Sequence, residues 1–273
     1  MMARRTLHCA GVAVRAVVFD FDGTLAAPTL DFGLMRRTVA EAMRVHLEPP
    51  QRPNPPDMPH QTGLAGQAGQ AGPTELAELP GPTRLPDRRD LPVMEWIAHV
   101  AGLLETHGRR DDAAALHADA HAAIRRVEVE AAARGSLFPF TRPMLAALSA
   151  MDVAVAIVTR NCPEAVRAVF PDVDALCPCL LTRDDVPSVK PDPDHLLRAL
   201  GMLGRAPAEA LMVGDHPMDI VTGHRAGTLT AGVASGESPA RALHEAGAHV
   251  VANDCAALMV HLGLTEADSE TPG

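Results

Sequence analysis

Aromatic residues are scarce in this chain. Of its 273 residues, 3% are aromatic, there is no tyrosine, and Trp96 is the single tryptophan. Proteins that bind single-stranded nucleic acid stack the bases on aromatic side chains, so the composition argues against such a surface. The formal net charge of −10 points the same way, because a basic field is what attracts the phosphate backbone. We therefore expect no nucleic-acid partner.

Cysteines and long apolar runs are also few. Five cysteines, an odd number in a chain of this length, favour a reducing cytosol over a disulfide-bonded fold. No uninterrupted apolar run reaches the roughly 18 residues that a membrane-spanning helix needs. The N-terminal stretch lacks a convincing hydrophobic region with a cleavage site, so no signal peptide is predicted. We expect a cytoplasmic protein with no membrane partner.

Hydrophobic residues make up 47% of the chain, which is ample for a core. From residue 136 onward, short β-branched runs alternate with short helical segments, and an earlier apolar run covers 12–19. This alternation is typical of a parallel sheet that helices cover on both faces. The sequence predicts an α/β core with a doubly wound, Rossmann-like parallel sheet, formed by 12–27 and 136–265.

Between these two parts, residues 28–135 show helical periodicity and no strand signal. Apolar residues recur at helical spacing over 31–47, 93–104 and 111–134, so we predict a small inserted α-helical domain. Within it, 48–91 is rich in proline and glycine and cannot bury enough apolar surface to offset its ordering entropy. We predict a disordered or loosely held loop there, with a partner-binding proline-rich segment as the alternative.

Polar residues follow the predicted strands at the points where the strands end. The carboxyl ends of parallel strands meet at one edge of the sheet, and ligands bind there. The residues at such positions are Asp20 and Asp22 after the first strand, Thr159, Arg160 and Asn161 after 153–158, Lys190 just before a helix, and Asp215 and Asp219 after 210–213. We therefore predict that they form one site.

The residue types in this set suit phosphoryl transfer. A carboxylate can act as a nucleophile and divide one hard displacement into two steps. Because the nucleophile and the phosphate are both anionic, Mg²⁺ would bridge them, and Asp20, Asp22 and Asp215 offer oxygen ligands. A lysine ammonium and a threonine hydroxyl would hold the phosphoryl oxygens. A second acid would protonate the leaving group and then activate water.

The segment 20–25 resembles the first motif of the haloacid-dehalogenase-like (HAD) phosphohydrolases. Thr159, Lys190 and the segment 214–219 are similar to the second, third and fourth motifs of that family, in that order. The segment 182–193 resembles the phosphoglycolate-phosphatase-like branch. The resemblance covers the two parts of the predicted core, and the helical insert is similar in position to the cap domain of that branch.

The resemblance implies a role for each matching residue. Asp20 would be the nucleophile that becomes aspartyl-phosphate and a ligand of Mg²⁺. Asp22 would be the general acid and base, and its backbone carbonyl would be a metal ligand. Thr159 and Lys190 would hold the phosphate. Dehalogenases of the family carry a different residue in place of Asp22, so Asp22 favours phosphate transfer.

The fourth motif implies that Asp215 binds Mg²⁺, and that Asp219 ligates the ion or orients a bound water. The second motif departs from the family pattern. Many relatives place asparagine directly after threonine, whereas here Arg160 separates Thr159 from Asn161. We expect Arg160 and Asn161 to contribute to phosphate binding, with exposure to solvent as the alternative for Arg160.

These observations predict a Mg²⁺-dependent phosphatase that acts on a small phosphorylated metabolite, with 2-phosphoglycolate as a candidate, through an aspartyl-phosphate intermediate. The predicted insert would close over the site as a cap and choose the substrate. One alternative keeps the chemistry but passes the phosphoryl group to a sugar, as phosphosugar mutases do. Another is a non-catalytic module that binds a partner through 48–91. The sequence predicts no oligomeric state.

Overall fold

A computed structural model describes residues 6–47 and 84–264 of the chain. The predicted loop at 48–91 lies outside the described residues apart from 84–91. The strands are β1 (Leu7–Cys9), β2 (Val12–Val14), β3 (Ala16–Phe19), β4 (Ala154–Val158), β5 (Cys179–Leu181), β6 (Ala210–Gly214), β7 (Leu229–Val233) and β8 (Val250–Ala252).

The described helices agree closely with the predicted helical segments. They are α1 (Phe32–Arg44), α2 (Val93–Thr106), α3 (Arg110–Ala132), α4 (Thr141–Ala150), α5 (Pro163–Val169), α6 (Val173–Leu176), α7 (Pro193–Leu203), α8 (Pro217–Ala226), α9 (Ala240–Glu245) and α10 (Cys255–Leu262). Among the helices of the described ranges, none combines the length and the apolar character that crossing a membrane requires.

Six strands form one sheet in the order β5-β4-β3-β6-β7-β8, and every neighbouring pair is parallel. Successive side chains of a strand point to opposite faces. Val17 and Phe19 accordingly pack in a cluster with α4, α5 and α10, whereas Ala16 and Val18 pack in a second cluster with α7 and α8. Helices therefore cover both faces, and the predicted doubly wound α/β core is confirmed.

The predicted strand at 12–19 is two strands, and only the second belongs to the parallel sheet. β2 pairs antiparallel with β1 in a separate hairpin, and β3 alone enters the parallel sheet. The hairpin turns at Ala10 and Gly11, which both have positive φ, as a tight two-residue turn requires. A continuous apolar run indicates burial but does not indicate a change of strand partner. The sequence pattern therefore does not predict that one strand ends and the next begins at Arg15.

The chain divides into two compact units. One contains the described residues up to Asp31 together with those from Arg125 onward, and the other is Phe32–Ile124. The parallel sheet lies wholly in the first unit. The second unit contains α1, α2 and the N-terminal part of α3. The assignment of 28–135 as a cap stays a prediction.

Within the second unit, the segment 84–91 is attached to α1 and α2. Arg36 donates hydrogen bonds to the carbonyls of Arg88 and Leu91, the latter at 3.0 Å. Its guanidinium also lies 4.3 Å from the ring centre of Trp96, whose Nε1 donates to the Pro86 carbonyl at 2.9 Å. Composition gives no sign of these contacts, because they come from side chains outside the segment.

His195 on α7 is a fully buried histidine in the first unit. Its Nε2 donates to the Leu181 carbonyl at 3.1 Å, which ties α7 to β5. Burial, followed by the charge of Lys190, lowers the pKa of His195 to about 4. An exposed histidine in the unfolded chain has a pKa of about 6.5. Between these two values the unfolded chain binds a proton that the folded chain does not.

We therefore expect His195 to lower the free energy of unfolding as the pH falls from about 6.5 to about 4, by about 2 kcal/mol at pH 5. The variant His195→Gln keeps a donor for Leu181 and removes the titration. Urea unfolding at pH 7.5 and pH 5 measures the effect. An equal loss of stability at pH 5 in wild type and variant would contradict the assignment.

Candidate active site

The first acidic residues follow β3 at the carboxyl edge of the sheet. The backbone N–H of Asp20 donates to the Val213 carbonyl at 2.8 Å, which continues the pairing of β3 with β6. The chain then turns at Gly23, which has φ of +77° and donates to the Ala26 carbonyl at 2.7 Å. This turn places the Asp20 and Asp22 side chains beyond the end of the strand.

Asp22 is held by the loop that follows β4. Asn161 Nδ2 donates to Asp22 Oδ2 at 3.0 Å. Asn161 is itself fixed, because its Oδ1 accepts from the Cys162 N–H at 2.8 Å and its own N–H donates to Thr159 Oγ1 at 3.1 Å. Burial, and then the negative charge of Asp20, raises the pKa of Asp22 to about 7. Asp22 can therefore hold or release a proton near neutral pH.

Lys190 is the single lysine of the sequence, and its side chain is buried between two carboxylates. Its Nζ donates to Asp20 Oδ1 at 2.6 Å and to Asp219 Oδ1 at 2.7 Å. Burial opposes the charged form, but the two carboxylates outweigh it and raise the pKa of Lys190 above its ordinary value. The ammonium is therefore a fixed positive charge at the centre of the site.

The remaining acids lie between β6 and α8. Asp219, in the first turn of α8, accepts a hydrogen bond from the His216 N–H at its Oδ2 (3.2 Å). Both of its oxygens thus have protein donors. Asp215 Oδ2 accepts from the Glu237 N–H at 3.3 Å. Burial, and then the charges of Asp20 and Asp219, raises the pKa of Asp215 to about 8.

Carboxylate oxygens of Asp20, Asp215 and Asp219 lie within 4.8 Å of one another. Burial, and then repulsion from the neighbouring carboxylates, raises the pKa of Asp215, and a divalent cation would offset that repulsion. Oxygen donors are also the ligands that Mg²⁺ prefers. The residues present therefore fit a magnesium ion, with Asp20 and Asp215 as candidate ligands and with Asp219 either as a further ligand or as the group that orients a bound water.

The structure brings most of the predicted residues into contact, and it places the Arg160 side chain against the main chain of Lys190. Its Nη1 donates to the Lys190 carbonyl at 3.0 Å and lies 3.2 Å from Met218 Sδ. Arg160 is half-buried, and its contribution to phosphate binding stays a prediction. Thr159 is buried, and its hydroxyl accepts from Asn161.

Sequence reasoning missed a buried ion pair beside the site. Arg183 Nη1 donates to Glu128 and also to the Arg160 carbonyl at 3.1 Å. Both side chains of the pair are nearly inaccessible to solvent. Arg183 follows β5, so the strand-end pattern that selected the other residues reaches it. Glu128 gives no such signal, because it lies on α3 and 55 positions away in the sequence.

Sequence comparison places this chain among known hydrolases. A sequence model of the family described as haloacid dehalogenase-like hydrolase matches residues 14–227. Pyrophosphatase PpaX of Bacillus cereus is 46% identical over 81 residues, which are 29% of this chain and 38% of that protein. PpaX of Anoxybacillus flavithermus is 48% identical over 62 residues, 23% of this chain and 29% of that protein. The matches thus span 38% or less of these two curated relatives.

Solved structures share the fold over most of the chain. CbbY from Rhodobacter sphaeroides, in complex with phosphate, has a TM-score of 0.55 and 19% identity and covers 91% of this chain and 99% of its own. A predicted phosphoglycolate phosphatase from Haemophilus somnus has a TM-score of 0.53 and 18% identity, with coverages of 91% and 97%. At these identities the similarity establishes the architecture.

Proposed function

The chain belongs to the haloacid dehalogenase-like hydrolase family, and we propose that it is a Mg²⁺-dependent phosphatase of small phosphorylated metabolites. The observation that carries the proposal is the buried Lys190 ammonium, which lies between Asp20 and Asp219 beside a third acid, Asp215. An ammonium and a carboxylate cluster in one buried site are the groups that phosphoryl transfer needs.

In this mechanism Asp20 attacks the phosphorus atom of the substrate. A bond forms between an Asp20 oxygen and phosphorus, and the bond from phosphorus to the leaving oxygen breaks. Asp22 gives its proton to the leaving oxygen, and the leaving group departs as an alcohol or, from pyrophosphate, as phosphate. In the second step Asp22 accepts a proton from water, the water oxygen bonds to phosphorus, and the bond to Asp20 breaks. Phosphate leaves and both carboxyl groups return to their starting states.

The other residues of the site would orient these two acids. Asn161 holds the Asp22 carboxylate, and Lys190 holds one Asp20 oxygen and would also neutralise charge on the phosphoryl oxygens. Asp20, Asp215 and the backbone carbonyl of Asp22 would hold Mg²⁺. When bound, the ion would offset the negative charge of the phosphoryl group and of the nucleophile.

The names of similar proteins suggest which substrates to test first. Two relatives are pyrophosphatases, and one structural neighbour is a predicted phosphoglycolate phosphatase. We propose 2-phosphoglycolate and pyrophosphate as the first candidates for this chain. Both are small and anionic, so both suit a site with a buried, fixed ammonium.

The test is phosphate release from p-nitrophenyl phosphate, 2-phosphoglycolate, pyrophosphate and a panel of sugar phosphates, with Mg²⁺ and with EDTA. We expect release that requires Mg²⁺ and differs widely among the panel members. The same sugar phosphates should be followed by ³¹P NMR. Isomerisation without phosphate release would support the mutase alternative. Neither release nor isomerisation by folded, Mg²⁺-loaded protein would contradict the proposal and favour the binding module.

A further inference from the structure

The turn at 235–237, which follows β7, contacts two other parts of the site. Ser235 Oγ donates a hydrogen bond to the Gly23 carbonyl at 2.7 Å. The backbone N–H of Glu237 donates to Asp215 Oδ2 at 3.3 Å. One short segment therefore connects the turn after Asp22 with the Asp215 carboxylate.

Gly236, in the middle of this turn, has no room for a side chain. A Cβ at this position would lie 1.8 Å from Asp215 Oδ2, 2.4 Å from its Cγ and 2.7 Å from its Cβ. Gly236 is not among the glycines with positive φ, so its backbone does not itself require glycine. The requirement comes from the position of the Asp215 side chain.

Gly23 approaches the same carboxylate from the turn after β3. A Cβ on Gly23 would lie 2.5 Å from Asp215 Oδ2 and 2.9 Å from the Gly236 Cα. The Oδ2 atom of Asp215 is thus packed against two glycines and accepts a backbone hydrogen bond. A carboxylate held this closely keeps one orientation, which leaves its other oxygen in a defined direction.

We propose that the turn at 235–237 is a positioning element for Asp215 and that it sets the affinity of the site for Mg²⁺. The inference rests on the proposed function, because Asp215 is there a ligand of the ion. Groups that orient metal ligands typically change metal affinity by about 10- to 100-fold when they are mutated. The turn acts through Asp215 and needs no contact with the ion.

The test is calorimetric titration of Mg²⁺ into metal-free wild type, Gly236→Ala and Gly201→Ala. Gly201 lies on α7, where an added Cβ would meet nothing within 4 Å, so it is the matched control. We expect Gly236→Ala to raise the Kd for Mg²⁺ by about 10- to 100-fold. Gly201→Ala should leave the Kd unchanged. Circular dichroism verifies that each variant is folded.

A second pair of variants covers the case in which Gly236→Ala does not fold. Ser235→Ala removes the hydrogen bond to Gly23 and should weaken Mg²⁺ binding. Ser235→Thr keeps the hydroxyl and should bind Mg²⁺ with the wild-type affinity. Wild-type affinity in Ser235→Ala and in any folded Gly236→Ala protein would overturn the inference. Wild-type protein that binds no Mg²⁺ would instead contradict the magnesium part of the proposed function, and the inference would fall with it.

Discussion

Replacement of Asp20 by asparagine is expected to abolish Mg²⁺-dependent phosphate release. The asparagine side chain keeps the shape of Asp20 and an oxygen acceptor for Lys190, but its amide oxygen is a poor nucleophile and forms no aspartyl-phosphate. Loss of a nucleophile lowers kcat by about 10³- to 10⁶-fold in enzymes that form covalent intermediates. The measurement is phosphate release from the best substrate of the panel, with acid quenching to detect the phosphorylated protein.

The control for Asp20→Asn is Asp174→Asn, which makes the same chemical change at an exposed carboxylate paired with Arg167. Its activity should equal that of the wild type. Thermal unfolding separates lost chemistry from lost structure. Burial disfavours the charged form of Asp20, and Lys190 keeps Asp219 as its partner in the variant, so Asp20→Asn should stay folded. Substantial phosphate release by folded Asp20→Asn would show that another group is the nucleophile.

The strand-end rule located most of the site from sequence because most of its residues closely follow a strand. Lys190 is the exception, since it lies nine positions after β5. Asp20 and Asp215 follow β3 and β6, which pair in parallel, so their side chains meet at one edge. The apolar runs that define those strands are visible in the sequence. Position along a strand is therefore enough to predict proximity at this edge.

Hydrogen-bond partners could not be predicted in the same way. Asn161 and Asp22 are 139 positions apart, and their contact depends on the register between β3 and β4 and on the fixed rotation of the Asn161 side chain. Arg160 illustrates the limit. Its contact with the Lys190 carbonyl depends on the path of a loop, which the sequence pattern does not specify.

The distribution of lysine and arginine along the chain also points to Lys190, independently of the family motifs. Lysine and arginine together number 24, yet Lys190 is the single lysine. Arginine is a planar fork that suits bidentate contacts, whereas the lysine ammonium is a compact charge with three donors. Nζ lies at 2.6 Å and 2.7 Å from two carboxylate oxygens, a geometry that a compact ammonium satisfies. In a chain whose other basic residues are all arginine, the one lysine occupies the position where a compact ammonium fits between two carboxylates.

Replacement of Lys190 by methionine is expected to lower the free energy of unfolding of the metal-free protein by about 3–5 kcal/mol, the usual cost of leaving buried charges without their partner. Methionine fills a similar volume but leaves Asp20 and Asp219 without a cation. Urea unfolding in EDTA measures the loss. Phosphate release should also fall, because the ammonium that holds Asp20 is gone.

A double-mutant cycle tests whether the loss comes from the Lys190–Asp219 contact. Asp219→Asn in the Lys190→Met background removes one of the two unpaired charges, so it should restore part of the stability that Lys190→Met loses. Because the chain has one lysine, ¹⁵N-lysine labelling gives a single ammonium signal in the wild type. That signal should persist above the ordinary lysine pKa of about 10.4. Titration of the ammonium at its ordinary pKa would contradict the contact with the two carboxylates. Changes in the free energy of unfolding that simply add in the double mutant would contradict the Lys190–Asp219 contact.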